Sequence, residues 1–65
     1  MNIWLNGEEK ETASADISAL VASLQLPAPT LLIEHNGLAL RREEWPQRTL
    51  HPGDRIEIIR IVAGG

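Results

Sequence analysis

The 65-residue chain has no cysteine, no phenylalanine and no tyrosine; its aromatic residues are two tryptophans, and Lys10 is its single lysine. Without cysteine there is no disulfide to staple a small fold, no thiolate nucleophile and no zinc-finger ligand set. Without Phe or Tyr, the core has to be built from Ile, Leu, Val and Ala. Hydrophobic residues make up 43% of the chain, enough for a globular unit rather than a disordered one. No apolar run approaches the roughly 20 residues of a membrane span, and no basic-then-apolar leader opens the chain. The expected setting is therefore cytoplasmic, with no membrane partner. A formal net charge of −3 leaves no electrostatic footprint for nucleic acid and suits a protein partner with a basic docking face.

A chain this short buries only about 60% of its unfolded surface. One domain over residues 1–65 is expected, with a core too thin for a deep catalytic pocket.

The period of the apolar residues divides this domain. In "MNIWLNGEE", Met1, Ile3 and Leu5 alternate with Asn2, Trp4 and Asn6, the pattern of a half-buried strand. Asn6-Gly7 is a strong hairpin signal, because a type I′ turn needs positive φ at both central residues. A short return strand is expected over Lys10 to Ala13. In "DISALVASLQL" the period changes. Ile17, Leu20, Val21 and Leu24 form one helical stripe, Asp16 is a suitable N-cap, and Pro27 and Pro29 stop a helix of about nine or ten residues. Leu31 to Glu34, Asn36-Gly37 and Leu38 to Leu40 spell a second hairpin. Arg42 to Trp45 suit one helical turn that Pro46 ends, and "HPGD" is a further turn. "RIEIIRIV" is the last and most apolar strand. This ββαββ(turn)β order implies a two-layer α+β domain, with the helix stripe on one face of the sheet.

The last strand breaks its own phase. Ile56 and Ile58 alternate with Arg55 and Glu57, but then Ile59 and Ile61 take the other face and Arg60 the inner one. The count alone favours a β-bulge that re-phases the strand; the alternative is an exposed apolar pair awaiting a partner.

Elsewhere the side chains offer little chemistry. Glu8, Glu9, Glu11, Glu43 and Glu44 belong to turns and polar connections and read as solvated surface. His35 and His51 lie beside turns without a second ligand at metal spacing, so each reads as a surface histidine. Asp54 reads as a turn cap. No nucleophile–base set and no phosphate-binding glycine loop is present. The chain thus does not read as an enzyme, and it has no metal or cofactor ligands of its own.

What remains is the end, "RIVAGG". Ala63, Gly64 and Gly65 form a short flexible tail (63–65) on a rigid strand. Gly64 and Gly65 carry no side chain, so they pass a channel too narrow for a Cβ. A carboxylate presented in this way can be bound or activated by another protein; the alternative is a frayed tail.

With this order of elements, "MNIWLNGE", "DISALVASL", "NGLALRREEW" and "LHPGDRIEIIRIVAGG" together resemble the ThiS family, the sulfur carrier proteins of thiamine thiazole biosynthesis. The Gly-Asp-x-Ile pair and terminal Gly-Gly are shared with the molybdopterin-synthase small subunit. Arg42-x-x-Trp45 and the short length favour the thiamine carriers. The resemblance implies a ubiquitin-like β-grasp fold, with a mixed sheet of four to five strands packed on one main helix. It also implies an adenylating, ubiquitin-activating-like partner that uses ATP and magnesium. A persulfide sulfur donor would then convert the Gly65 adenylate to a thiocarboxylate, and thiazole synthase would receive the sulfur. Gly65 would carry the chemistry, Gly64 and Ala63 would thread, and Ile59, Arg60 and Ile61 would dock, with Trp4 a weaker docking residue. The alternatives are a molybdopterin carrier or another ubiquitin-like modifier, or a plain β-grasp interaction module.

Overall fold

In the computed structural model, residues 1–61 are described. The elements are β1 (Asn2–Leu5), β2 (Glu8–Glu11), α1 (Ile17–Leu24), β3 (Leu31–His35), β4 (Leu38–Leu40) and β5 (Arg55–Arg60), with 3-10 turns at Ala28–Thr30 and Arg42–Gln47. The strands form one sheet in the order β2-β1-β5-β3-β4. β1 and β5 are parallel, and the other neighbours are antiparallel. A mixed five-stranded sheet with one main helix is the α+β, β-grasp arrangement that the resemblance implies.

Both hairpins close through Asn-Gly. Asn6 and Gly7 have φ of 51° and 82°, and Asn36 and Gly37 have φ of 51° and 85°, the doubly positive pair a type I′ turn requires. A two-residue turn feeds straight into the return strand, so Leu5 pairs with Glu8 and β2 covers Glu8–Glu11. The expected Lys10–Ala13 strand is corrected accordingly: it starts and ends two residues earlier.

The helix begins where Asp16 accepts the Ala19 N–H at 2.8 Å, satisfying one of the first-turn donors that a helix leaves open. It ends before the prolines. Gln25 takes the left-handed conformation at φ 57° and its N–H bonds back to the Ala22 carbonyl, so the helix covers 8 residues. Pro46 also acts differently from the reading above. It sits inside the six-residue 3-10 segment, between bonds Glu44 N–H to Arg41 O and Arg48 N–H to Trp45 O. It therefore occupies the second position of the later turn, where its fixed φ is favourable, and starts that turn instead of ending the earlier one.

Ile17, Leu20 and Val21 of the helix pack on Ile3, Leu31, Ile33, Leu40 and Ile56 of the sheet, with Trp45 and Leu50 closing the end of the core. Full burial of an aliphatic side chain contributes about 1.5–3 kcal/mol. The long connection is fastened to the start of the helix, through Ile17 N–H to Arg48 O and Leu50 N–H to Ala15 O. No helix among the described residues is long and apolar enough to cross a membrane.

No bulge interrupts β5. Five successive pairs, from His35 with Ile56 to Leu31 with Arg60, run in unbroken register, and Ile61 N–H extends the ladder to Thr30 O at 2.7 Å. The re-phasing expected from the count is overturned. Leu31, Ile33 and Ile56 already fill the helix side, and the unbroken pairing with β3 keeps Ile59 in the same phase as Leu32. Ile59 and Ile61 instead stay on the outer face, each 50% exposed.

Candidate functional site

The face of the sheet turned away from the helix carries the candidate docking surface. Leu32 stands directly opposite Ile59, at 52% exposure. With Ile61 they make an apolar patch around the end of β5, which directly precedes residues 62–65 in the sequence. Ala63, Gly64 and Gly65, the expected threading and reacting residues, lie outside the described residues. Sequence reasoning missed Leu32. Its signal was the unbroken Leu31-Leu32-Ile33, in which the middle residue has to face away from the other two.

The next row along the sheet is charged. Glu34 is paired with Glu57, a like-charge pair directly across an antiparallel ladder, which opposes folding slightly. Beyond it Trp4, 43% exposed, pairs with Arg55 and Glu9. Arg55 and Ile59 are four positions apart along β5, about 13 Å at strand rise. Trp4 thus shares the face of the apolar patch without joining it. Arg60 is exposed as well, opposite Leu31, in the phase of the helix side. The structure therefore brings Ile59 and Ile61 together with Leu32, puts Arg60 on the reverse of the same strand end, and keeps Trp4 apart.

The other end of β5 is a polar knot. Asp54 is nearly buried and accepts from His35 Nε2 at 2.7 Å, Asn36 Nδ2 at 3.1 Å and the His51 N–H at 2.9 Å. Arg48 Nε donates to His35 Nδ1 at 3.3 Å, which leaves Nε2 as the protonated nitrogen facing Asp54. Burial alone would raise the Asp54 pKa. The bonds from His35, the His51 amide and Asn36 outweigh it and hold the carboxyl below its ordinary 3.8. The expected turn-cap role of Asp54 is present in the His51 bond, and it is one bond of three.

His35 corrects a reading of the sequence. It is 5% exposed where a surface histidine was expected, because it continues the inward phase of Leu31 and Ile33 along β3. His51 is exposed. Among the described residues, no three His, Asp or Glu side chains converge as a metal site. Within the knot, the Asp54 carboxylate and both ring nitrogens of His35 are engaged by other parts of the chain.

A family model described as the ThiS family matches residues 3–65. The crystal structure of a thiamine biosynthesis protein (ThiS) from Geobacter metallireducens is 29% identical and superposes with a TM-score of 0.85, over 100% of both chains. The solution structure of a thiamine biosynthesis protein from the same organism is 28% identical, with a TM-score of 0.81, over 100% of this chain and 88% of that one. An uncharacterized protein, ycf40 of Trieres chinensis, is 27% identical over 63 residues, covering 95% of this chain and 86% of that protein.

Proposed function

The chain belongs to the ThiS family, and from that membership we propose that it is a sulfur carrier of thiamine biosynthesis whose reacting group is the carboxylate of Gly65. One observation carries the reading: the family match runs on to residue 65, so it includes the Gly64-Gly65 end as well as the folded body.

In this proposal an adenylating partner binds ATP and magnesium. A carboxylate oxygen of Gly65 attacks the α-phosphorus, and pyrophosphate leaves. The acyl-adenylate turns a poor leaving group into AMP. A persulfide sulfur then attacks the acyl carbon and AMP departs; cleavage of the S–S bond by a thiol, which is oxidised to a disulfide, leaves the thiocarboxylate. Thiazole synthase takes the sulfur from it. The carrier contributes position: Leu32, Ile59 and Ile61 dock, with Arg60 on the reverse of the same strand end and Trp4 on the same face but apart from them. Side-chain-free Gly64 lets the terminus reach a narrow active site. The partner's own groups supply the electrostatic stabilisation. A chain without cysteine suits this scheme, since the sulfur rides on the terminus.

Intact mass spectrometry tests it. Incubated with the adenylating enzyme, ATP, magnesium and a persulfide donor, the protein is expected to gain a species in which one sulfur replaces one oxygen. Deleting Gly65 abolishes that species while the thermal melt stays where it was. Sulfur transfer persisting in the deletion variant overturns the assigned site.

A further inference from the structure

The two edges of β5 are treated differently by the fold. Its odd-numbered residues bond toward β3: the Arg55 carbonyl accepts from Asn36 N–H, and Ile61 N–H reaches Thr30 O. Its even-numbered side faces β1: Trp4 N–H bonds to Asp54 O and Asn6 N–H to Ile56 O. β1 pairs with β5 only through Arg55 and Ile56, and then turns away at Asn6-Gly7. The Asn6 side chain makes one more rung, its Oδ1 accepting the Ile58 N–H at 2.8 Å. Past that rung, the Ile58 carbonyl and the N–H and carbonyl of Arg60 point into the row that β1 has vacated. Among the described residues, nothing bonds to them there. On the opposite edge the ladder with β3 holds this same segment straight as far as Ile61. The result is a fixed, half-paired strand end whose outer face carries Ile59 and Ile61.

We propose that the adenylating partner adds an extended segment to the sheet along this open edge, in the row continuing β1, and bonds to Arg60 N–H through its backbone. Strand addition of this kind draws affinity from main-chain hydrogen bonds and specificity from alternate side chains. Alternate residues of the added segment face outward next to Ile59 and Ile61, so that phase of the segment is apolar. The fit is one of hydrogen-bond complementarity together with continuity in sequence: Arg60 and Ile61 directly precede residues 62–65, so a segment laid along Arg60 lies beside the place where the chain leaves the sheet toward its reacting end. An open edge is a hazard for self-association that folds normally cover. Here, among the described residues, it is only as long as one unpaired N–H and its flanking carbonyls, too short to recruit another sheet without the apolar contact beside it.

The inference rests on the carrier reading, and a pair of variants separates the two. Arg60→Ala removes the guanidinium and keeps the N–H; Arg60→Pro removes both. Proline is tolerated where the missing N–H would face solvent, and the residue before it is already extended. In ATP–pyrophosphate exchange with the adenylating enzyme of the same organism, Arg60→Pro is expected to raise the KM for the carrier about tenfold beyond Arg60→Ala. Equal KM values for the two variants overturn the edge assignment and leave the carrier function standing. A wild-type protein that supports no exchange at all overturns both. If Arg60→Pro does not fold, amide hydrogen exchange of the wild type decides instead. The Arg60 amide is expected to exchange freely in the isolated protein and at least about tenfold more slowly with the enzyme bound. Protection already present in the free protein, or none gained on binding, overturns the proposal.

Discussion

The two ends of β5 are built on opposite plans. At the Arg55 end the chain fastens itself. Asp54 takes three donors, the Arg55 N–H donates to Asn36 Oδ1, and Arg48 locks the ring of His35. At the Ile59 end the side chains facing outward are apolar and half exposed, and one backbone edge is open. A polar group taken out of water has to be paired within the fold, so the first end is finished before any partner arrives. Apolar side chains and a single edge N–H are tolerable in water and become worth more when covered. The strand is thus anchored at one end and available at the other, an arrangement that suits the proposed presentation of the terminus.

Loss of the anchor should have the largest effect on the fold. Asp54→Ala leaves His35, Asn36 and the His51 amide without their acceptor, at a cost on the order of 3 kcal/mol. For a domain this small that lowers the Tm by roughly 10–20 °C, measured by circular dichroism. Below its melting range the variant should still be adenylated, because the far end of the strand is intact; lost activity in a folded variant would contradict the division. The complementary change, Ile59→Asp with or without Leu32→Asp, should raise the KM of the adenylating enzyme for the carrier by roughly 10- to 30-fold while moving the Tm little. A collapse in stability there would mean that the patch belongs to the core.

Acid should attack the anchored end first. The folded Asp54 carboxyl titrates below 3.8, whereas an unfolded aspartate titrates near 3.9. A depressed folded pKa means that the stabilisation is complete above the unfolded value and is lost as the pH falls through the folded one. Urea midpoints should therefore fall as the pH drops below about 4, and Asp54→Asn should flatten that slope. Identical slopes in the two proteins would remove Asp54 from the account. The smallest effect belongs to the row between the two ends. Glu57→Gln relieves the repulsion across from Glu34 and should raise stability by a few tenths of a kcal/mol; a loss would show that the pair is neutralised by a neighbour such as Arg55.

Much of this was legible before any coordinates. Ile17, Leu20, Val21 and Leu24 mark the helix through their period, and Asp16 marks its start through a local bond. The two Asn-Gly hairpins follow from the φ signs their turns demand. The errors have a common cause: His35, the phase of β5 and Leu32 depend on which strands become neighbours. Inward phase along β3 is visible in Leu31, Ile33 and His35 only when the strand is carried one residue further, to the turn. The phase break in β5 was ambiguous because a bulge and an uncovered strand end have the same residue pattern. The unbroken pairing of β5 with β3, from His35 with Ile56 to Leu31 with Arg60, decides between them. The Pro46 and Lys10–Ala13 boundaries failed for a smaller reason, turn geometry that shifts an element by a residue or two.

By itself, then, the sequence determined the elements and the chemistry available: strands, one capped helix, two I′ turns, no thiol, and a glycine end. Those are local properties, set by side-chain period, steric limits on φ and the inventory of functional groups. Tertiary structure alone decided what the turn asparagines do besides turning. Asn6 caps Ile58 across 52 residues of chain, and Asn36 binds both Asp54 and Arg55. It also decided that one end of β5 is knotted and the other open, because hydrogen bonds and burial between distant segments exist only once the sheet order β2-β1-β5-β3-β4 has brought those segments side by side.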